Sequence, residues 1–422
     1  MSSDVNEQVT AAQADQTEVK SQPTSRRNAV FEVFLVALRL GVTSFGGPIA
    51  HLGYFRDEYV VRRKWLDEHT YAGVVALCQV LPGPASSQVG MTIGMMRAGM
   101  LGGVAAWLGF TLPSALALIV FAYGVASINV AGAGWLHGLK LVAVPVVAQA
   151  IWGMARTLTP DKERVTLAIV AAIAALTFAT AWAQVAIIAV AAGIGWRFLG
   201  AGQGVPPVQE GVSTRRGLGI ALTALVAVGL LLFGLPLVRQ LVSSQALAEL
   251  DSFFRVGSLV FGGGHVVLPL LEHEVVAPGW VTTEQFLAGY GAAQAVPGPL
   301  FTFAAYLGAV MHPGPLAWLY GVFTLVAIFL PASLFVVARM PLWNLMRTHT
   351  HVQAAIRGVN AGVVGILLAA LYDPIWTNAV KTPADFSLAL ALFGMLMFWR
   401  LPPWVVVVAA AVGGAVIAFF TG

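Results

Sequence analysis

Phe45-Gly46-Gly47-Pro48 and Phe261-Gly262-Gly263-Gly264 are two copies of one motif. Each is followed at matching distance by a second pair, Gln79-Val80-Leu81-Pro82-Gly83-Pro84 and Gln294-Ala295-Val296-Pro297-Gly298-Pro299. Outward from these anchors the register holds. Arg39 and Gly41 answer Arg255 and Gly257, Trp65 answers Trp280, and Phe110-Thr111-Leu112-Pro113 answers Phe329-Leu330-Pro331. Lys140 answers Arg357, and Ala191-Ala192-Gly193 meets Ala411-Val412-Gly413 at the far end. The chain therefore divides into a polar tail (1–28), a first repeat (29–200), a linker with one extra apolar helix (201–242) and a second repeat (243–422).

Composition says what surrounds these repeats. Hydrophobic residues make up 58% of the 422 and charged residues 10%, with a mean hydropathy of +0.81. A soluble domain carries roughly 25% charged residues, so this chain is expected to face lipid. Apolar runs such as Leu101 to Val125, Leu218 to Val238 and Trp404 to Phe420 are long enough to cross a bilayer core as helices. The dyad alternation of a membrane β-barrel is missing. The expected fold is all-α: a polytopic membrane bundle of two homologous, inverted repeats with broken or re-entrant helices. The formal charge of +4 does not point to nucleic acid, because basic residues in such proteins mark cytoplasmic loops. Cys78 is the lone cysteine, which excludes an intramolecular disulfide or a thiolate cluster.

Charge placement suggests how the copies lie. Arg56, Arg62, Arg63, Lys64, Arg97, Arg156, Lys162 and Arg164 mark short loops of the first half as cytoplasmic. The matching stretch Leu271 to Gln285 carries Glu272, Glu274 and Glu284 but no Lys or Arg, and reads as a loop. Conversely, the uncharged Ala126 to Leu136 loop corresponds to a region with Arg339 and Arg347. Basic loops have changed sides, as antiparallel copies joined by one extra crossing require. The segments 29–62 and 70–96 are expected to dip in and return, turning at Ser44 to Pro48 and Pro82 to Pro84, before spans at 100–125, 137–156, 165–181 and 183–199. Full crossing of the broken segments stays open: it gives about thirteen spans against about nine.

Proline starts helices well because its missing donor costs nothing in the first turn. After Pro48, Pro84 and Pro299 a new helix would present unpaired N–H groups and a positive dipole end, a ready anion site. Gly46, Gly47, Gly83, Gly262, Gly263, Gly264 and Gly298 leave backbone N–H groups unshielded; Ser44, Ser86, Ser87 and Thr302 offer hydroxyls. Pro82 and Pro297 open the two Pro-Gly-Pro turns. The same glycines and prolines also suit kinks and close helix packing. Arg39 and Arg255, in the helices leading to the Gly-rich breaks, are candidate counter-charges for a dianion, or partners of Glu32 and Asp251. Gln79 and Gln294 are candidate amide donors; His51 and His265 are candidates for proton coupling. No zincin, nucleotide or acidic-cluster motif is present, so neither enzyme chemistry, a metal nor a cofactor is expected.

The duplicated Arg-x-Gly-x-x-x-Phe-Gly-Gly stretch at Arg39 to Gly47 and Arg255 to Gly263, with Gln-x-x-Pro-Gly-Pro at Gln79 and Gln294, resembles the long, two-domain form of the chromate ion transporter family. The resemblance runs from residue 29 to about 420 and implies a multi-pass protein of the prokaryotic inner membrane. It implies chromate as substrate, carried outward in resistance, with sulfate, a tetrahedral isostere, as the alternative. An anion channel and a homodimer remain open alternatives. Two departures set the halves apart: Gly264 stands where the first half has Pro48, and Phe301-Thr302-Phe303 replaces Ser86-Ser87-Gln88. The first half is therefore expected to make more of the polar contacts.

Overall fold

The computed structural model describes residues 26–127, 134–178, 181–200, 215–261, 267–339 and 349–421. All the regular elements among these residues are helical. The first half comprises α1 (Arg26–Thr43), α2 (Gly47–Arg56, continued by a π-helical turn Asp57–Arg62), α3 (Glu68–Val80), α4 (Ala85–Ser127), α5 (Gly134–Leu158), α6 (Lys162–Thr177) and α7 (Ala181–Phe198). Then follows α8 (Arg215–Leu241), which has no counterpart. The second half comprises α9 (Gln245–Leu259), α10 (Val267–Val275), α11 (Thr283–Ala295), α12 (Phe303–Met311), α13 (Ala317–Val337), α14 (Thr350–Ala370), α15 (Pro383–Met397) and α16 (Pro403–Thr421). The count differs by one because α4 is two helices joined at a kink. Ala98 and Gly99 leave helical geometry there, Gly99 at φ 69°, where the second half has an open break containing Gly314 at φ 139°.

Local chemistry sets the helix starts. Asp67 and Asp161 accept from the Thr70 and Arg164 N–H groups, and Thr282 and Thr382 form capping boxes with Gln285 and Asp385. Each supplies an acceptor that the first turn otherwise lacks. In the loop at Asp161, the Arg164 guanidinium and N–H hold the carboxyl below its ordinary range.

Among the described residues, six helices are long and apolar enough to cross a membrane: α4, α5, α8, α13, α14 with its continuation to Ala379, and α16. This is a helical membrane protein. Its outer surface is apolar as lipid demands; α8 exposes Ile220, Leu230 and Phe233.

The two halves embrace through matched contacts. The Gly83 N–H donates to the Val260 carbonyl at 2.7 Å, and the Gly298 N–H donates to the Ser44 carbonyl at 2.9 Å. Each Pro-Gly-Pro turn thus ties itself to the end of the helix preceding the opposite Gly-rich break. A Cβ on Gly138 of α5 would come within 2.0 Å of the Ala410 carbonyl of α16, and one on Gly358 of α14 within 2.0 Å of the Ala191 carbonyl of α7. Small residues let these backbones touch. One expectation needs correcting: Glu272 and Glu274 lie in α10, not in a loop.

Candidate anion-binding site

The breaks fall where Gly and Pro place them. Helix α1 ends as the Ser44 N–H reaches back to Leu40 at 2.8 Å. Gly46 and Gly47 then take φ of 95° and 78°, which only glycine adopts at little cost. Helix α2 begins with Pro48 in its first turn and no side-chain cap. The second break turns at Gly83, φ 111°, and α4 starts directly after Pro84, with the Gln88 N–H closing its first turn on the Pro84 carbonyl at 3.0 Å. The N–H groups of Ala85, Ser86 and Ser87 precede that bond and have no acceptor within the helix.

Around this start gathers a polar set sealed from the exterior. Ser44, His51, Ser86, Ser87, Gln88, Thr111 and Ser114 are all at most 3% exposed. His51 Nδ1 lies 3.3 Å from Ser86 Oγ, Gln88 Nε2 donates to the Pro82 carbonyl at 2.6 Å, and Ser114 Oγ donates to the Thr111 carbonyl at 3.1 Å. Five buried atoms are left over: Ser44 Oγ, His51 Nε2, Ser87 Oγ, Gln88 Oε1 and Thr111 Oγ1 have no hydrogen-bond partner among the described residues. An unsatisfied buried polar group costs about 1–3 kcal/mol, so such a concentration is a place for ordered water or a polar ligand. The Phe110 ring stands edge-on to His51 at 5.3 Å, and a Cβ on Gly298 would lie 2.9 Å from Ser114 Oγ and 3.2 Å from the Phe110 carbonyl.

The second half is dry at the corresponding positions. Where the first has His51, Ser86, Gln88 and Thr111, it has Val267, Phe301, Phe303 and Phe329, all at most 1% exposed. Phe303 packs between Phe286 and Tyr306, and Phe301 against Phe329. Thr302, which answers Ser87, spends its hydroxyl on the Pro299 carbonyl at 2.7 Å, within a short 3₁₀ turn Leu300–Thr302 rather than an α-helical start. Pro297 and Gly298 complete that turn, with Gly298 at φ 101°. Gly262, Gly263, Gly264 and His265 lie outside the described residues.

The remaining candidates are not all brought together. Arg39 is 53% exposed and pairs with Glu58 of the π-helical turn at 3.7 Å, not with Glu32. Arg255 is held by Asp251 at 2.6 Å and by Glu274 of α10 at 3.4 Å. Both arginines thus already have carboxylate partners, at equivalent places in the two halves. Gln79 is exposed on α3, whereas Gln294 keeps a buried Nε2 without a partner among the described residues. Thr111 and Ser114 did not stand out in the sequence. Their signal was there, in hydroxyls beside Pro113 where the second half has Phe329 and Ala332.

A family profile described as chromate transporter matches the chain twice, over residues 31–196 and 247–415. The chain is 29% identical over 394 residues to a chromate transport protein of Pseudomonas aeruginosa, covering 90% of each. It is 27% identical over 393 residues to a probable chromate transport protein of Synechococcus elongatus, covering 90% of this chain and 93% of that one. A chromate transport protein of Cupriavidus metallidurans is 26% identical over 414 residues, covering 95% and 96%. No solved structure matches the chain. With the profile falling once on each half, around each broken pair of helices, this protein belongs to the chromate transporter family.

Proposed function

We propose that the chain is a secondary carrier that moves chromate across a prokaryotic plasma membrane, outward in the cell, and that the anion binds at the start of α4. The carrying observation is the group of buried, unpartnered polar atoms on and beside the first turn of α4: Ser87 Oγ, Gln88 Oε1 and, next to Ser86, His51 Nε2. A tetrahedral oxyanion offers acceptors in every direction, and hydrogen bonds to an ionised acceptor are about twice as strong as neutral ones. Free N–H groups at the helix start and the hydroxyls of Ser44, Ser87 and Thr111 match it. No arginine is required at the site, because a helix N-terminus supplies partial positive charge without a desolvated cation. The Ser44 and Gly298 main chains join the halves beside this set, so a rocking of one half against the other would open it to either side. Sulfate fits the same chemistry and is the natural competitor.

Counterflow in proteoliposomes tests the reading. Chromate preloaded inside should accelerate uptake of labelled chromate, and the paired change Ser86→Ala, Ser87→Ala should raise the half-saturation constant about tenfold, as loss of hydrogen bonds to a charged ligand predicts. Uptake without trans-acceleration would indicate a channel. An unchanged constant in the double variant would move the site elsewhere.

A further inference from the structure

His51 is buried, 1% exposed, on a helix that begins with the Gly-rich break. Its ring stands perpendicular to that of Phe110, with centroids 5.3 Å apart, and Nδ1 lies 3.3 Å from Ser86 Oγ; the Ser44 backbone carbonyl is a further acceptor close to the ring. Nε2 is the atom left without a hydrogen bond among the described residues. The duplication supplies an internal control for what this histidine does. At the matching place in the second half stands Val267, 0% exposed, and where Ser86 stands the second half has Phe301, also 0% exposed. The imidazole and its hydroxyl partner are therefore replaced together, and an apolar pair fills the equivalent space. Packing of the repeat does not call for a histidine here.

Resting on the carrier reading above, we propose that neutral His51 is a direct ligand of the transported oxyanion, donating from Nε2–H. Ser86 is its positioning partner: with the Ser86 hydroxyl donating to Nδ1, the ring proton resides on Nε2. In this role the imidazole binds and orients the anion and carries no proton across the membrane. It deepens the polar side of the site, opposite the half where Val267 and Phe301 offer nothing to an anion.

The test uses the full-length protein with two substitutions, His51→Val, which copies the other half, and His51→Gln, which keeps an N–H donor of similar reach. Chromate-dependent thermal stabilisation of the purified protein reads binding, and chromate uptake into proteoliposomes over a range of pH reads transport. We expect His51→Val to raise the half-saturation constant about tenfold and shrink the stabilisation, and His51→Gln to stay within about threefold of wild type with the same pH profile, the scale set by one hydrogen bond to a charged group. Wild-type constants in His51→Val would assign the residue to packing. Equal losses in both variants, with the pH dependence abolished, would assign it to proton transfer. If wild-type protein shows neither chromate-dependent stabilisation nor uptake, the carrier reading itself fails, an outcome distinct from a normal wild type with an indifferent His51→Val.

Discussion

Arg255 and Arg39 occupy equivalent positions, yet their surroundings predict different consequences of removal. Arg255 is 13% exposed between Asp251 and Glu274, whose side chains are 3% and 12% exposed. Truncating it leaves two buried carboxylates short of a partner, although Arg239 still reaches Asp251 at 3.3 Å. Breaking a buried pair from one side costs about 3–5 kcal/mol, so Arg255→Ala should sharply lower the temperature at which the detergent-purified protein loses its monodisperse elution peak. Glu58, by contrast, keeps Arg62 at 3.1 Å and Arg63 at 2.8 Å when Arg39 is removed. Arg39→Ala, at a half-exposed cation, should cost about 1 kcal/mol or less. Equal losses would show that exposure does not decide the role of these pairs. The matched arginines were legible in the sequence because they sit at fixed places beside the Gly-rich motifs. Their partners Glu58 and Glu274 were not, since each lies on the helix across the break, where helical periodicity in the chain carries no information.

Among the elements, the helix breaks were the most legible feature, because Gly and Pro act through the backbone itself. Gly83 and Gly298 both take left-handed φ and both donate across to the other half. A Cβ would meet Ala332 at 2.8 Å in the first case and Ser114 Oγ at 2.9 Å in the second. Gly83→Ala and Gly298→Ala should therefore each destabilise by about 1–3 kcal/mol, the range for a side chain forced into such a conformation. Gly153→Ala, within α5 and with nothing within 4 Å of the added Cβ, should be neutral or stabilising by up to about 1 kcal/mol. Thermal inactivation of the three purified variants, followed by elution profile, checks the ranking; an indifferent Gly83→Ala would mean that the turn relaxes freely. The kink at Ala98 and Gly99 has no proline to announce it. Its place was legible all the same: it falls between the expected broken segment 70–96 and the expected span 100–125, where Arg97 interrupts the apolar run, although the helix bends there and does not end. The polar side of the site was half legible: Ser86 and Ser87 stand beside a motif, while buried Thr111 lies beyond the kink in α4, far along the chain from it.

At the scale of the whole molecule, the paired contacts restrict how the halves are related without choosing the axis. Gly83 to Val260 and Gly298 to Ser44, or Gly138 against α16 and Gly358 against α7, arise under any two-fold exchange. An axis along the membrane normal gives parallel halves; an axis in the membrane plane gives inverted ones. Two features favour the second. Helix α8 is unpaired, long and exposed to lipid, and one extra crossing reverses the second copy if each copy crosses an even number of times. The basic residues near α2, Arg56, Arg62 and Arg63, have no Lys or Arg counterparts in 267–285, as expected if the two regions face opposite sides. His69 and Glu284 are matched, exposed residues in the first turns of α3 and α11, which makes them suitable reporters. In a Cys78→Ser background, single cysteines at His69 and Glu284 should react with an impermeant maleimide from opposite faces, His69→Cys in inside-out vesicles and Glu284→Cys in intact spheroplasts. Reaction of both from one face would establish parallel halves, and the rocking of inverted copies around a shared anion site would have to be abandoned.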